Sequence, residues 1–315
     1  MTRLMTHMRL PAAIALCLCL AGCTRSSSPP PADSPAAPLE KARMVYVPGG
    51  PFLMGSDEVD TEGRALEFGS RRPWYVDEHP RHTAYTGPFR IDLNEVTEAH
   101  YQVFIAALGN YPPPPHWSGT PKAPPDPDLP VSHVTWMDAQ NYCHWRGARL
   151  PTEAEWEKAA RGTDGGRYPW GDTFDPDRAN VGQTGGDLTP PGHFKDSASP
   201  YGAVDMAGNV WEWVADWYEA YPGNTADSEF FGHRHKVLRG GGAGIQGGHY
   251  LLAAHTIRAA HRFFLDPRAR VADAGFRCAQ GLTEDGEVKD DNDQTVHGRA
   301  RPAAVTHDAG NPPGM

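Results

Sequence analysis

The chain has 315 residues and is acidic, with 39 Asp and Glu against 29 Lys and Arg and a formal net charge of −10. That balance excludes a nucleic-acid partner, whose phosphates call for a basic face. Plentiful Gly (34), Pro (31) and Trp (9) fit a loop-rich domain built around aromatic residues and exclude a helical bundle.

Arg3 and Arg9 precede an apolar run from Leu10 to Ala21, shorter than the roughly 20 residues that span a bilayer. The run reads as an export signal. It ends in Leu20-Ala21-Gly22-Cys23, which looks like a bacterial lipobox and makes Cys23, the last residue of the signal region 1–23, the expected lipidated N-terminus. Thr24, not Asp, follows Cys23, which by resemblance to enteric sorting points to an outer-membrane lipoprotein facing the periplasm. Residues 24–42 are dominated by Ser, Pro and Ala and read as an extended tether. Residues 282–315 are polar and read as a disordered tail, leaving one folded domain over 43–281.

Within that domain, Met44–Val47 and Phe52–Met54 flank Pro48-Gly49-Gly50, which predicts a hairpin. Phe89–Asp92 is a further short strand. Thr97 is placed to cap a helix with Tyr101, Phe104, Ile105 and Leu108 on its apolar face. Thr135-x-x-Asp138 and Thr152-x-x-Glu155 are capping-box signatures. They open helices that point Trp136, Ala139 and Cys143, and then Trp156, Ala159 and Ala160, inward. From Asn209 to Ala215 the residues alternate as in a half-buried strand. Val237–Gly242, Thr256–Arg258 and Gly275–Cys278 close the domain, and the class is α+β with much irregular structure. Once Cys17, Cys19 and Cys23 leave with the signal or carry lipid, Cys143 and Cys278 are an even pair in an oxidising compartment, which favours a disulfide.

Nine segments in order carry a family resemblance: PGGPFLMGS (48–56), DEHPRH (77–82), FRIDLNEVTEAHYQVF (89–104), PVSHVTWMDAQNYCHWRGARLPTEAEWEKAARG (130–162), YPWGD (168–172), AN (179–180), YGAVDMAGNVWEWVADWY (201–218), VLRGGG (237–242) and AGFRC (274–278). The chain resembles the sulfatase-modifying-factor, or formylglycine-generating-enzyme-like, family. The resemblance implies a variant of the C-type-lectin fold. It also implies a Cys143–Cys278 disulfide, with alanines at 160 and 259 where a second bridge would stand.

Formylglycine-generating members hold Cu(I) on a thiolate pair after an RGGS motif, a soft-ligand site. Here Gly242 replaces the serine, and Ile245 and Tyr250 fall at or near the thiolate positions. Copper is therefore not expected, and no catalytic residue is assigned. The resemblance does imply calcium, at Asp205, Gly208, Val210 and Glu212, with a second site at Asn180 and Val181 near Asp187. Carboxylates plus main-chain oxygens suit a hard cation. Trp211, Gly242 and Arg262 are the cleft candidates. His249, His255 and His261 recur every six residues and are weighed as a substitute metal site, with surface or packing roles the plainer reading. The expected partners are a peptide, protein or envelope ligand in the cleft and the membrane through the anchor. The alternative is an atypical oxidoreductase of the iron-dependent or siderophore-maturation type, with sulfatase maturation behind it.

Overall fold

A computed structural model describes residues 42–118, 126–182, 186–244 and 250–289. The chain divides after Leu39, and every described residue lies C-terminal to that point. Cys23, Ile245 and His249 fall outside the described residues. The elements in order are β1 (Met44–Val47), β2 (Gly50–Met54), α1 (Arg64–Glu67), β3 (His82–Thr86), β4 (Phe89–Asp92), α2 (Glu98–Leu108), α3 (Trp136–Trp145), α4 (Glu153–Arg161), β5 (Trp211–Trp217), β6 (Lys236–Arg239), α5 (Tyr250–Thr256), β7 (Phe263–Leu265), β8 (Ala274–Gly275) and β9 (Ala279–Gly281). This is an α+β fold, as the sequence implied.

The three threonines cap their helices. Thr97 accepts the His100 N–H, and Thr135 and Thr152 each complete a reciprocal capping box with Asp138 and Glu155. Each such cap stabilises a helix by about 1 kcal/mol, which fixes where α2, α3 and α4 begin. The apolar face of α2 is narrower than its periodicity suggested, since Tyr101 and Phe104 are buried while Leu108 is exposed.

The predicted hairpin does not form. β1 pairs with β4, from Met44 opposite Asp92 to Val47 opposite Phe89, and β2 pairs with β3, from Gly50 opposite Thr86 to Met54 opposite His82. Both ladders keep one register, so β1–β2 and β3–β4 are two long strands interrupted at Pro48-Gly49 and Gly87-Pro88. Proline has no N–H for a ladder. A Cβ at Gly49 would lie 2.9 Å from the Pro88 ring, so the two breaks pack against each other and need the glycine. The Pro-Gly-Gly signal marked this kink, not a chain reversal.

β9 adds to β4, completing the three-stranded sheet β1-β4-β9, and a separate sheet runs β7-β6-β5-β8. β5 was expected to show one face to solvent; instead both faces near its start are buried. Trp211 and Trp213 pack with Tyr101, Phe104, Tyr142 and Phe276, while Val214 packs with Trp156 of α4. The two-residue period separates two buried layers here. The order also extends past Gly281: Leu282 is buried, its N–H reaches the Pro88 carbonyl, and it bridges to Val288.

Candidate functional site

Helix α4 places charge in the core. Besides Trp156, Ala159 and Ala160 it buries Glu153, Glu155, Glu157, Lys158 and Arg161, because the β2–β3 ribbon covers one side and β5–β6 the other. Arg239 Nη1 donates to Glu153 Oε1 (2.7 Å) and Arg239 Nη2 to Glu157 Oε2 (2.6 Å). Lys158 Nζ is held by the Pro48 and Gly50 carbonyls and the Thr86 hydroxyl. These ions were not legible in the sequence, where α4 reads as an ordinary amphipathic helix.

Arg262, a cleft candidate, belongs to this network. Its Nε and Nη2 donate to Glu153 at 2.7 and 3.0 Å, its Nη1 donates to the Asp77 carbonyl, and Tyr221 lies 4.1 Å beneath the guanidinium. Its polar atoms are committed to holding α4 against β7 and the Asp77 turn.

The other two cleft candidates do meet. Trp211 is 1% exposed and packs on Phe263 and His261, and its indole N–H has no hydrogen-bond partner among the described residues. A Cβ at Gly242 would stand 2.7 Å from Trp211 Cδ1 and 2.3 Å from Asp273 Oδ2. The Asp273 carboxylate accepts the Gly244 N–H at 3.1 Å. Gly242 is therefore required by the neighbour that fills its side-chain space. Asp273 was missed from the sequence, since nothing in its segment marks it.

The two expected calcium segments form one neighbourhood. Asp205, Gly208 and Asn209 have left-handed backbones, with φ of 54°, 82° and 65°. A Cβ at Gly208 would lie 2.4 Å from the Asn180 carbonyl, so only glycine lets these chains touch. Asn209 is the hub: its side chain donates to Glu95 Oε1 (3.1 Å) and accepts from Asn180 Nδ2 (3.2 Å), and its N–H reaches the Asn180 carbonyl. Asn180 also donates to the Asp187 carbonyl, and Val181 is buried beside it.

Glu212 faces Arg277, not an open site. Its two oxygens accept from Arg277 Nε and Nη2 at 2.6 and 2.7 Å and from the Trp156 indole at 2.8 Å. Glu95 is the carboxylate that sequence reading missed. It is 2% exposed and its Oε2 has no partner among the described residues. Burial first, then the Asp205 charge, holds its pKa well above the carboxylate range. Asp205 is raised too, chiefly by burial. Among the described residues no group of three or more His, Cys, Asp or Glu side chains is arranged to hold a metal. A calcium ion here would use the Asp205 and Glu95 carboxylates with main-chain oxygens. The unmatched Glu95 oxygen and the raised carboxylates fit a hard cation.

His255 and His261 converge, with ring centroids 4.5 Å apart. His255 is sandwiched flat against Trp74 at 4.0 Å, and burial first, then His261 and Arg258, keeps its pKa well below the usual imidazole value. Glu78, fully buried, is clamped by Arg258, and His261 Nδ1 lies 3.5 Å from its Oε1. Cys143 of α3 and Cys278 ahead of β9 are joined in a disulfide across 135 residues.

Residues 30–282 match the model of the sulfatase-modifying factor enzyme 1-like domain. The chain belongs to this family. An inactive C-alpha-formylglycine-generating enzyme 2 of Mus musculus is 35% identical, the alignment covering 79% of this chain and 88% of the relative. A formylglycine-generating enzyme of Thermomonospora curvata is 33% identical over 77% and 95%. A hercynine oxygenase of Mycolicibacterium smegmatis is 33% identical over 79% and 65%. Among solved structures, PvdO from Pseudomonas aeruginosa superposes with a TM-score of 0.56 at 26% identity, covering 76% of this chain and 94% of that one. The sulfatase-modifying-factor family thus spans inactive and oxygenase members, and membership alone does not assign a reaction.

Proposed function

We propose that this chain is a lipid-anchored envelope protein whose sulfatase-modifying-factor domain binds a peptide, protein or envelope component without copper oxidase chemistry. One observation carries the reading: the domain's two cysteines, Cys143 and Cys278, are spent on each other. A Cu(I) dithiolate has no ligands left, and a change to imidazole would alter both metal preference and redox poise. The similarity to an inactive relative supports the same reading. A ligand entering beside Gly242 would meet the Trp211 indole N–H and the Asp273 carboxylate, groups suited to hydrogen bonding. Calcium at Asp205 and Glu95 would brace the turn that leads into β5 and Trp211.

The test is to incubate the purified, copper-treated full chain with a CxPxR sulfatase peptide. Mass spectrometry should show no conversion of the peptide cysteine, while binding may be read by calorimetry; oxygen-dependent formylglycine would overturn the reading. Anchoring is tested separately with Cys23→Ser, which should leave the membrane fraction or remain unprocessed. Unchanged detergent-phase partitioning of that variant would remove the anchor from the proposal.

The alternative, an iron-dependent oxidoreductase, is favoured by one observation, the convergence of His255 and His261. The donor set argues against it. His255 Nδ1 faces Arg258 Nη2 at 3.3 Å, and Arg258 already neutralises Glu78. Stoichiometric iron in the purified protein would decide for the alternative.

A further inference from the structure

Between α1 and β3 the chain carries Arg71-Arg72-Pro73-Trp74-Tyr75, a segment no sequence motif explains. It forms a strap, tied at Trp74 N–H to Asp60 and at the Tyr75 carbonyl to the Glu78 N–H. Beneath it lies a cavity of about 440 Å³, walled by Trp74, Tyr218, Phe230 and Phe264 and reaching His255 and His261 at its inner end. That volume is in the range of small-molecule sites. Phe264 stacks on the fully buried Tyr218 at 4.3 Å and Phe230 leans on Phe264 at 4.9 Å and 31°, so the half-buried parts of Trp74, Phe230 and Phe264 face the cavity.

Two local departures fall on the cavity, as others do at the Asp205–Asn209 turn and at Glu95 and Trp211. Tyr75 has a φ of 74°, an uncommon backbone for a bulky residue. Arg72 Nη2 is buried with no hydrogen-bond partner among the described residues, although a buried donor normally has one. The Arg72 guanidinium rests over Phe231 at 5.8 Å and makes no ion pair among the described residues. Of the two carboxylates in the wall, Asp77 accepts the Tyr218 hydroxyl at 2.6 Å and Glu229 is exposed to solvent. Departures from local consistency gather at functional sites. A donor-only fork asks for an anion, and the ring wall asks for a flat apolar body.

We propose that this cavity binds an aromatic ring bearing a carboxylate, with the ring among Trp74, Phe230 and Phe264 and the carboxylate on Arg72. The same chemistry occurs in a free aromatic acid and in the C-terminal aromatic residue of a peptide. The proposal is independent of the Gly242 cleft, which lies on the other side of His261.

Indole-3-acetate and the tripeptide Gly-Gly-Trp are the two probes, each titrated into the purified full chain by calorimetry and ligand-observed NMR. At least one should bind saturably, about tenfold or more tighter than its neutral counterpart, 3-methylindole or the tripeptide amide. Arg72→Leu should remove that preference. Arg72→Lys, which keeps the charge and most of the packing, should retain part of it and covers the case that the leucine variant fails to fold. Preference for indole-3-acetate assigns a free acid, and preference for the tripeptide a peptide terminus; either supports the site. Absence of saturable binding by both, equal affinity for acid and neutral forms, or unaltered selectivity in both Arg72 variants overturns it.

Discussion

Gly242→Ala adds one methyl group at the place where this chain departs from the family's RGGS motif. The new Cβ would lie 2.3 Å from Asp273 Oδ2 and 2.7 Å from Trp211 Cδ1. Both separations are too short by about an ångström, and Trp211 is fixed between Phe263 and His261. Asp273 must therefore swing away and give up its bond to the Gly244 N–H. Overpacking costs about 1–3 kcal/mol, and loss of a hydrogen bond to a charged group about 1.5–3 kcal/mol. The expected sum is about 2.5–6 kcal/mol, or roughly 5–24 °C in melting temperature for a domain of this size. The decisive assay is a double-mutant cycle in denaturant with Asp273→Ala. That change alone should cost about 1.5–3 kcal/mol, and the pair should cost less than the sum by about 1–2 kcal/mol. A neutral Gly242→Ala, or a strictly additive cycle, would refute the claim that Asp273 dictates the glycine.

Breaking the Cys143–Cys278 bridge by serine substitution of both residues frees a loop of 135 residues and should cost about 3–5 kcal/mol, measured by chemical denaturation. Calcium should raise the melting temperature and chelation should lower it; Glu95→Gln should be at least as stable as wild type in chelator and respond less to calcium, and an unchanged calcium response would exclude Glu95. The sign follows from linkage: Glu95 keeps its proton in the fold while the unfolded chain loses it, so without a cation stability falls as pH rises above the ordinary glutamate value. His255 has the opposite slope. Its depressed pKa leaves it neutral in the fold while the unfolded imidazole protonates below about pH 6.5, so stability falls on acidification by up to about 1.4 kcal/mol per pH unit. His255→Phe should flatten that slope in thermal melts between pH 5 and 6.5 (roughly the imidazole range), and an unaltered slope would remove His255 as its source.

What the sequence made legible was what rests on local chemistry. Thr97, Thr135 and Thr152 mark helix starts because a cap depends on the next three residues alone. The order of motifs was enough to assign the family. Strand partners were not legible, because β1 and β2 choose β4 and β3 through proline breaks about 40 residues apart in the chain. Nor was the site's true composition. Glu212 fits a ligand pattern along the chain, but its partner Arg277 lies 65 residues away. Arg262 reads as a cleft cation until Glu153, 109 residues distant, is placed against it. Glu95 and Asp273 carry no local signature at all, and their roles come from tertiary neighbours.

The same pairings bear on how this domain keeps its shape without a thiolate pair. Arg239, Arg258, Arg262 and Arg277 are each at most 3% exposed, and each is bound to a buried glutamate: Glu153 and Glu157, Glu78, Glu153, and Glu212 respectively. Such pairs add little net stability over a well-packed apolar core, yet loss of one partner costs about 3–5 kcal/mol because the other charge is stranded. They therefore lock geometry more than they deepen the fold. Arg239 pins the end of β6 to α4 just before Gly240–Gly242, and Arg277 pins Glu212 of β5 to the Val204 carbonyl ahead of Asp205. Neither contact involves the segment where copper ligands would stand. Trp211, Gly242 and Asp273 are packed against one another by contacts that do not depend on copper ligands.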